Sequence, residues 1–261
     1  MRLKLPFDLE LISARAAPPD RGYILAPDRL MALGREHAEA YRAAEPFPHA
    51  VFDDFLPQAV VDEALEVFPA VKSAYWVTKR AGTAIKQDSH RLDKERLLPP
   101  FLRRLIWELN AAPFLMFLSA LTGIEGLTPD PYLEGGGVHQ IPAGGFLKVH
   151  ADFNRHPITG LDRRLNVLIY LNKDWSAEYG GDLELWSRDM TACVRKVAPL
   201  AGRCVVFSTT DHSFHGHPDP LTCPEGRTRK SLALYYYTAG RPAQEASAPH
   251  STLYRNRPGE G

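Results

Sequence analysis

The chain has 261 residues, 44% of them hydrophobic and 24% charged, which is enough for a sizeable buried core and too apolar for wholesale disorder. Thirty-one basic residues balance thirty-one acidic ones, so a protein that grips nucleic acid by bulk charge is disfavoured. Three cysteines (Cys193, Cys204 and Cys223) with no Cys-x-x-Cys make neither a disulfide framework nor a thiolate zinc site, and they suit a reducing cytoplasm.

In chain order, the opening MRLKLPFDLELISARAAPPD carries Asp8, Glu10 and Arg15 where a secretory signal needs an unbroken apolar stretch. Pro27 to Ala44 sets Leu30, Leu33, His37 and Tyr41 at helical spacing, with Pro27 and Asp28 as its start. EPFPHAVFDDFLP (45–57) is too rich in proline for a helix and reads as a short strand and turn. Gln58 to Phe68 forms a second helix, with a stripe of Val60, Val61, Ala64, Leu65 and Phe68. Ser73 to Arg96 is charged and poorly periodic; it reads as a solvated loop or as a lid, where Lys79, Arg80, Lys86 and Arg91 could hold an anionic substrate. Residues 100–121 make a helical pair broken at Pro113, and the most apolar run, Ala111 to Leu121, is about half the ~20 residues that cross a bilayer. A soluble, cytoplasmic protein with no membrane partner is expected.

From about Gly126 the texture changes. GGVHQI (136–141), FLKVHAD (146–152), RLNVLIYL (164–171), DLELW (182–186), ACVRKV (192–197), RCVVFS (203–208) and RKSLALYYYT (229–238) are short β-rich runs separated by turn residues. They predict a mainly β chain with helices (α+β), a jelly-roll core onto which the N-terminal helices pack. The expected layout is a helical extension over 1–45, a single domain over 46–240 and a loose Pro-rich tail over 241–261. Trp107, Trp175 and Trp186 read as core or wall aromatics. Tyr235, Tyr236 and Tyr237 alternate faces, and Gly135-Gly136-Gly137 is no phosphate loop, since no Lys-Ser/Thr follows it.

Strand parity brings chemistry together. In GFLKVHAD (145–152), Phe146, Lys148, His150 and Asp152 share one face, so an imidazole and a carboxylate converge. A third ligand from a distant strand would complete a two-histidine, one-carboxylate triad that leaves half of an octahedral Fe(II) open. His217-Pro218-Asp219 has the same spacing but its prolines favour a turn, and His37-Ala38-Glu39 lies on a helix, where i and i+2 diverge. His212, His215 and His217 are the candidates for the distal ligand. In TRKSLALYYYT (228–238), Arg229, Ser231 and Ala233 share a face, and a guanidinium there suits bidentate capture of a carboxylate; a surface ion pair is the plainer reading.

These ordered segments, GGFLKVHAD, LNVLIYLNKDW, YGGDLELW, GRCVVFS, a histidine eight residues beyond Phe207 and an Arg-x-Ser strand, resemble the iron(II)- and 2-oxoglutarate-dependent oxygenases, in their prolyl 4-hydroxylase-like branch, over about Gly126 to Gly240. The resemblance implies a double-stranded β-helix, with His150, Asp152 and His215 as iron ligands. It implies Arg229 and Tyr170 as partners of the far carboxylate of 2-oxoglutarate, with Asn166 and Ser231 as further pocket residues and His139 as a weaker one. Fe(II), 2-oxoglutarate and O2 are the implied cofactors, and no catalytic side chain beyond the metal ligands. The implied reaction is hydroxylation of an amino-acid, peptidyl or small-metabolite C–H with release of succinate and CO2; the oligomeric state is open. The alternatives are a cupin-like metalloenzyme that does not use 2-oxoglutarate and a non-catalytic iron-binding protein on the same fold.

Overall fold

The structure is a computed structural model that describes residues 22–73, 76–79, 86–87 and 89–260. Among the described residues, four α-helices come from the first half: α1 (Pro27–Ala43), α2 (Gln58–Glu66), α3 (Pro100–Leu109) and α4 (Ala112–Thr122). Pro27 and Pro113 sit in the first turns of α1 and α4, where a missing N–H costs no helical hydrogen bond. Pro113 therefore begins a new helix instead of kinking an old one. Among the described residues no single helix is long and apolar enough to cross a membrane.

The strands are β1 (His49–Phe52), β2 (Val77–Lys79), β3 (Lys86–Gln87), β4 (Ser89–Leu92), β5 (Thr128–Pro129), β6 (Gly137–Pro142), β7 (Phe146–Ala151), β8 (Asp162–Tyr170), β9 (Leu183–Trp186), β10 (Cys193–Val197), β11 (Cys204–Ser208), β12 (His215–His217), β13 (Thr228–Thr238) and β14 (Leu253–Tyr254). Each of the seven predicted β-rich runs lies on one of them. Two antiparallel sheets result. The larger has the order β1-β11-β8-β13-β6-β4-β2 with β5 beside β13, and the smaller has β10-β9-β12-β7-β14 with β3 beside β7.

The larger sheet is apolar on one face and mixed on the other. Leu165, Val167 and Ile169 of β8, Leu232, Leu234 and Tyr236 of β13, and Cys204 and Val206 of β11 pack under the helices against Leu102, Leu105, Ile106, Phe114, Phe117, Leu118 and Leu121. Each such side chain taken from water contributes about 1.5–3 kcal/mol before chain entropy is counted. At the crossing of α1 and α4, a Cβ on Gly34 would lie 2.8 Å from the Phe117 carbonyl oxygen, so a hydrogen there sets the closeness of the two helices.

Three expectations need correction. Ser73 to Arg96 is not wholly a loop: β2 and β4 extend the larger sheet and β3 caps the smaller, because backbone pairing to β6 and β7 needs no apolar alternation. Arg80 and part of that segment lie outside the described residues. The tail over 241–261 is not loose, since β14 pairs with β7, Leu253 opposite Ala151 and Tyr254 opposite His150. Trp107 is 52% exposed, with the Arg103 guanidinium 5.3 Å from its ring, whereas Trp175 and Trp186 are buried.

Candidate metal and cosubstrate site

The site is built on β7 and β12, which run antiparallel with His150 opposite His215. His217 stands opposite Leu147, so Lys148 and Val149 of β7 share the single Gly216 of β12, which is a β-bulge. The bulge exchanges faces below His150. Leu147 lines the cavity, while Lys148 turns outward to the Asn256 side-chain oxygen at 3.4 Å, so the expected shared face holds only for His150 and Asp152. The bulged backbone approaches Gly216 so closely that a Cβ there would lie 2.8 Å from the Leu147 oxygen and 2.9 Å from the Lys148 oxygen. Gly216→Val is therefore expected to lower stability by about 1–3 kcal/mol by overpacking, read as a drop in thermal melting temperature.

That geometry also fixes the histidine tautomers. His150 Nδ1 lies 2.8 Å from the Lys148 carbonyl oxygen, and His215 Nδ1 lies 2.9 Å from that of Ser213. A carbonyl oxygen only accepts, so each Nδ1 carries the hydrogen and each Nε2 presents its lone pair inward. The two Nε2 atoms lie 3.5 Å from Asp152 Oδ1 and Oδ2 respectively, and the ring centroids are 4.5 Å apart. One ligand atom from each of the three residues falls within 4.8 Å of the others. Burial, reinforced by the neighbouring His150, pushes the His215 imidazole down to about 4, leaving it neutral near pH 7. Burial alone would raise the Asp152 carboxyl, but the Arg163 guanidinium and the two histidines outweigh it and hold it well below the usual carboxylate range. Inward lone pairs on two imidazoles and a buried anion are the donor set of a divalent cation, and these residues fit Fe(II), Mn(II) or Zn(II). Of the other two histidines weighed, His212 is exposed, and His217 lines the cavity outside the cluster.

Asp152 is held from behind. Its Oδ2 accepts from Asn166 Nδ2 at 2.7 Å and faces Arg163 Nη2 at 3.0 Å. Arg163 Nε and Nη2 also donate to Asn166 Oδ1, at 3.0 and 2.7 Å. The amide of Asn166, expected among the cosubstrate residues, is thus occupied at both ends by Asp152 and Arg163. Arg163 escapes a parity reading because of a second irregularity: Tyr236 pairs with Leu165 and Tyr237 with Arg163, so Arg164 is the extra residue. Arg164 turns away to Thr238 and Glu245.

The other end of the cavity belongs to Arg229, which is 5% exposed. Its Nε donates to the Gly181 carbonyl oxygen at 2.7 Å and its Nη2 to the Tyr170 hydroxyl at 3.2 Å. Gly181, at φ +78°, makes room: a Cβ would meet Leu221 Cδ2 at 2.6 Å and Arg229 Cδ at 3.0 Å. Leu221, from the connection after His215, packs there with Ile141, Trp175 and Cys223. The surface ion-pair reading of Arg229 is corrected: it is buried, and among the described residues no carboxylate lies within ion-pairing distance. Burial raises the Tyr170 phenol, against the opposing pull of Arg229, so its hydroxyl stays protonated. Ser231 and His139 sit opposite one another on β13 and β6 and line the same cavity of about 300 Å³.

Around the rest of the cavity stand Arg91, Glu134, Phe153, Tyr235, Thr252 and Tyr254. Arg91 is ion-paired to Asp93 at 2.7 Å. The Tyr254 ring lies 5.5 Å from that of His150, carried there by β14. Arg163 escaped the sequence reading through the irregularity in β8, and Thr252 and Tyr254 escaped it because no periodicity marks a two-residue strand or the residue before it.

A double-stranded β-helix whose cavity gathers a His-Asp-His cluster defines a class of mononuclear metalloenzymes. Residues 136–237 match the family model of the 2OG-Fe(II) oxygenase superfamily. The fold is prolyl 4-hydroxylase-like, and the match to that superfamily's model implies Fe(II), 2-oxoglutarate and O2 as cofactors. No match was found among the curated proteins. A prolyl-4-hydroxylase from Pseudomonas putida has a similar structure at 19% identity and a TM-score of 0.53, covering 80% of this chain and 99% of that one. A Trichoplax adhaerens prolyl hydroxylase, in complex with a hypoxia inducible factor peptide fragment, is similar at 17% identity and 0.56, over 81% and 90%. HygX from Streptomyces hygroscopicus, with nickel, 2-oxoglutarate and hygromycin B bound, is similar at 14% identity and 0.51, over 84% and 96%. At these identities the likeness is one of fold.

Proposed function

We propose that the enzyme hydroxylates an unactivated C–H bond of a small-molecule, amino-acid or peptidyl substrate, releasing succinate and CO2. In this reading His150, Asp152 and His215 hold Fe(II), and Arg229 with Tyr170 binds the far carboxylate of 2-oxoglutarate. The observation that carries it is Arg229, a buried guanidinium with a phenol and a carbonyl for partners and, among the described residues, no carboxylate within ion-pairing distance. A buried cation without a counter-charge is costly, and a dicarboxylate reaching from the metal cluster would supply one.

Fe(II) with 2-oxoglutarate and O2 supplies the oxidising chemistry: one oxygen atom enters succinate as CO2 leaves, and the other enters the substrate C–H bond. The chain's own residues orient and exclude. The Nδ1–H bonds of His150 and His215 lock the ligand rings, and Leu147, Leu168 and Leu183 give the cavity apolar lining. Asp152 as a carboxylate, in place of alanine or glycine, favours hydroxylation over halogenation, which needs that coordination position for halide. Ser231 and His139 are further contacts for cosubstrate or substrate. The solved relatives are bound to a peptide in one case and to hygromycin B in another, and a cavity of about 300 Å³ shared with 2-oxoglutarate suits a small molecule or a single inserted side chain.

The test is anaerobic titration of the Fe(II)-loaded protein with 2-oxoglutarate. A weak visible charge-transfer band from the chelated keto acid is expected. Iron bound without such a band would overturn the cosubstrate assignment in favour of a cupin-like enzyme.

A further inference from the structure

We infer that Arg163 and Asn166 are positioning residues for the metal, a clamp that fixes how Asp152 presents its oxygens; the inference rests on the iron-site reading above. Arg163, Asn166 and Asp152 close a ring made of hydrogen bonds and one ion pair. Asp152 Oδ2 faces two donors, Asn166 Nδ2 at 2.7 Å and Arg163 Nη2 at 3.0 Å, while Arg163 itself grips Asn166 Oδ1 through two nitrogens. Oδ1 faces His150 Nε2 and Oδ2 faces His215 Nε2, each at 3.5 Å, so both oxygens border the candidate cation position. The two donors on Oδ2 therefore fix the rotation of the carboxylate, and with it how its oxygens meet the cation. A carboxylate free to rotate could chelate through both oxygens and take a position that the cosubstrate or O2 needs.

Arg163 is held as firmly as it holds. It is 1% exposed, its guanidinium carbon lies 3.5 Å from the centroid of Tyr235 and 4.5 Å from that of Phe153, and both rings line the cavity. A planar guanidinium stacked on aromatic faces keeps its fork in one plane, which the compact ammonium of lysine does not.

Charge and orientation make opposite predictions, and this separates a clamp from a mere counter-ion. Removing a cation from beside a divalent metal favours metal binding electrostatically. Removing an orienting partner of a ligand weakens it, typically about 10–100-fold. Mn(II) affinity, followed by the electron paramagnetic resonance of the free ion, would be measured for wild type, Arg163→Gln, Arg163→Lys and Asn166→Ala, with Asp152→Ala as the floor. A clamp predicts that the Gln, Lys and Ala variants each bind Mn(II) about 10–100-fold more weakly, the lysine included although it keeps the charge. An Arg163→Gln affinity equal to or above wild type would overturn it. Should Arg163→Gln fail to fold by circular dichroism, Asn166→Ala changes no charge and decides alone, unaltered affinity refuting the clamp. Wild type that takes up no Mn(II), or Asp152→Ala that keeps it, would instead refute the iron-site reading.

Discussion

Fe(II) is expected to be lost from His215→Ala, with affinity falling by about two to three orders of magnitude and turnover abolished. The cluster offers three protein ligands, and four-ligand structural zinc sites are worth about 10–16 kcal/mol, so each ligand carries roughly 2.5–4 kcal/mol. His215 also has no substitute nearby. His212 is exposed, and His217 stands opposite Leu147, one bulge away from the cluster. The fold should survive, because the large core beneath the helices does not include β12. Iron content after desalting, read beside the far-ultraviolet circular dichroism, checks both halves. Wild-type iron in a folded variant would remove His215 from the site.

Arg229→Ala should leave iron binding intact and weaken 2-oxoglutarate by about 2–5 kcal/mol, or roughly 30-fold to several thousand-fold, the cost of truncating one member of a buried charged pair. Arg229→Lys should recover part of this, since an ammonium restores charge without the two-point fork. The ligand-free protein should behave in the opposite sense. There the guanidinium is buried with neutral partners only, so the alanine variant should melt no lower than wild type despite losing two hydrogen bonds. Isothermal titration with 2-oxoglutarate and thermal melting of the apo forms give the two readings. Unchanged cosubstrate affinity would detach Arg229 from the cosubstrate.

Local pattern made only part of this site visible. His150 and Asp152 are two apart in an unmistakable strand, and the β8 and β13 alternation is regular enough to put Tyr170 and Arg229 on one side, their hydrogen bond following from that. The distal histidine was different: three candidates lay within six residues, and the family resemblance, not parity, chose among them.

The misses share one cause. Parity assumes an unbroken pleat, and the strands that matter most are broken: the bulge in β7 trades Lys148 for Leu147, and the extra residue in β8 trades Arg164 for Arg163. A bulge is set by what the neighbouring strand can accommodate, here the bare Gly216 pressed against two carbonyl oxygens, so it has no signature within the strand it bends. β14 is the same lesson at longer range. Two residues near the end of the chain have no period to detect, yet the open edge of β7 recruits them and brings Tyr254 against His150.

Residue order alone thus carried the strand and helix content, the jelly-roll class and the His-x-Asp pair, because short-range periodicity encodes which face of an element meets the core. Packing between elements decided the rest. Which histidine meets Asp152, which arginine backs it, and whether Arg229 finds a carboxylate depend on sheet register and on burial, and both arise only once distant strands are paired.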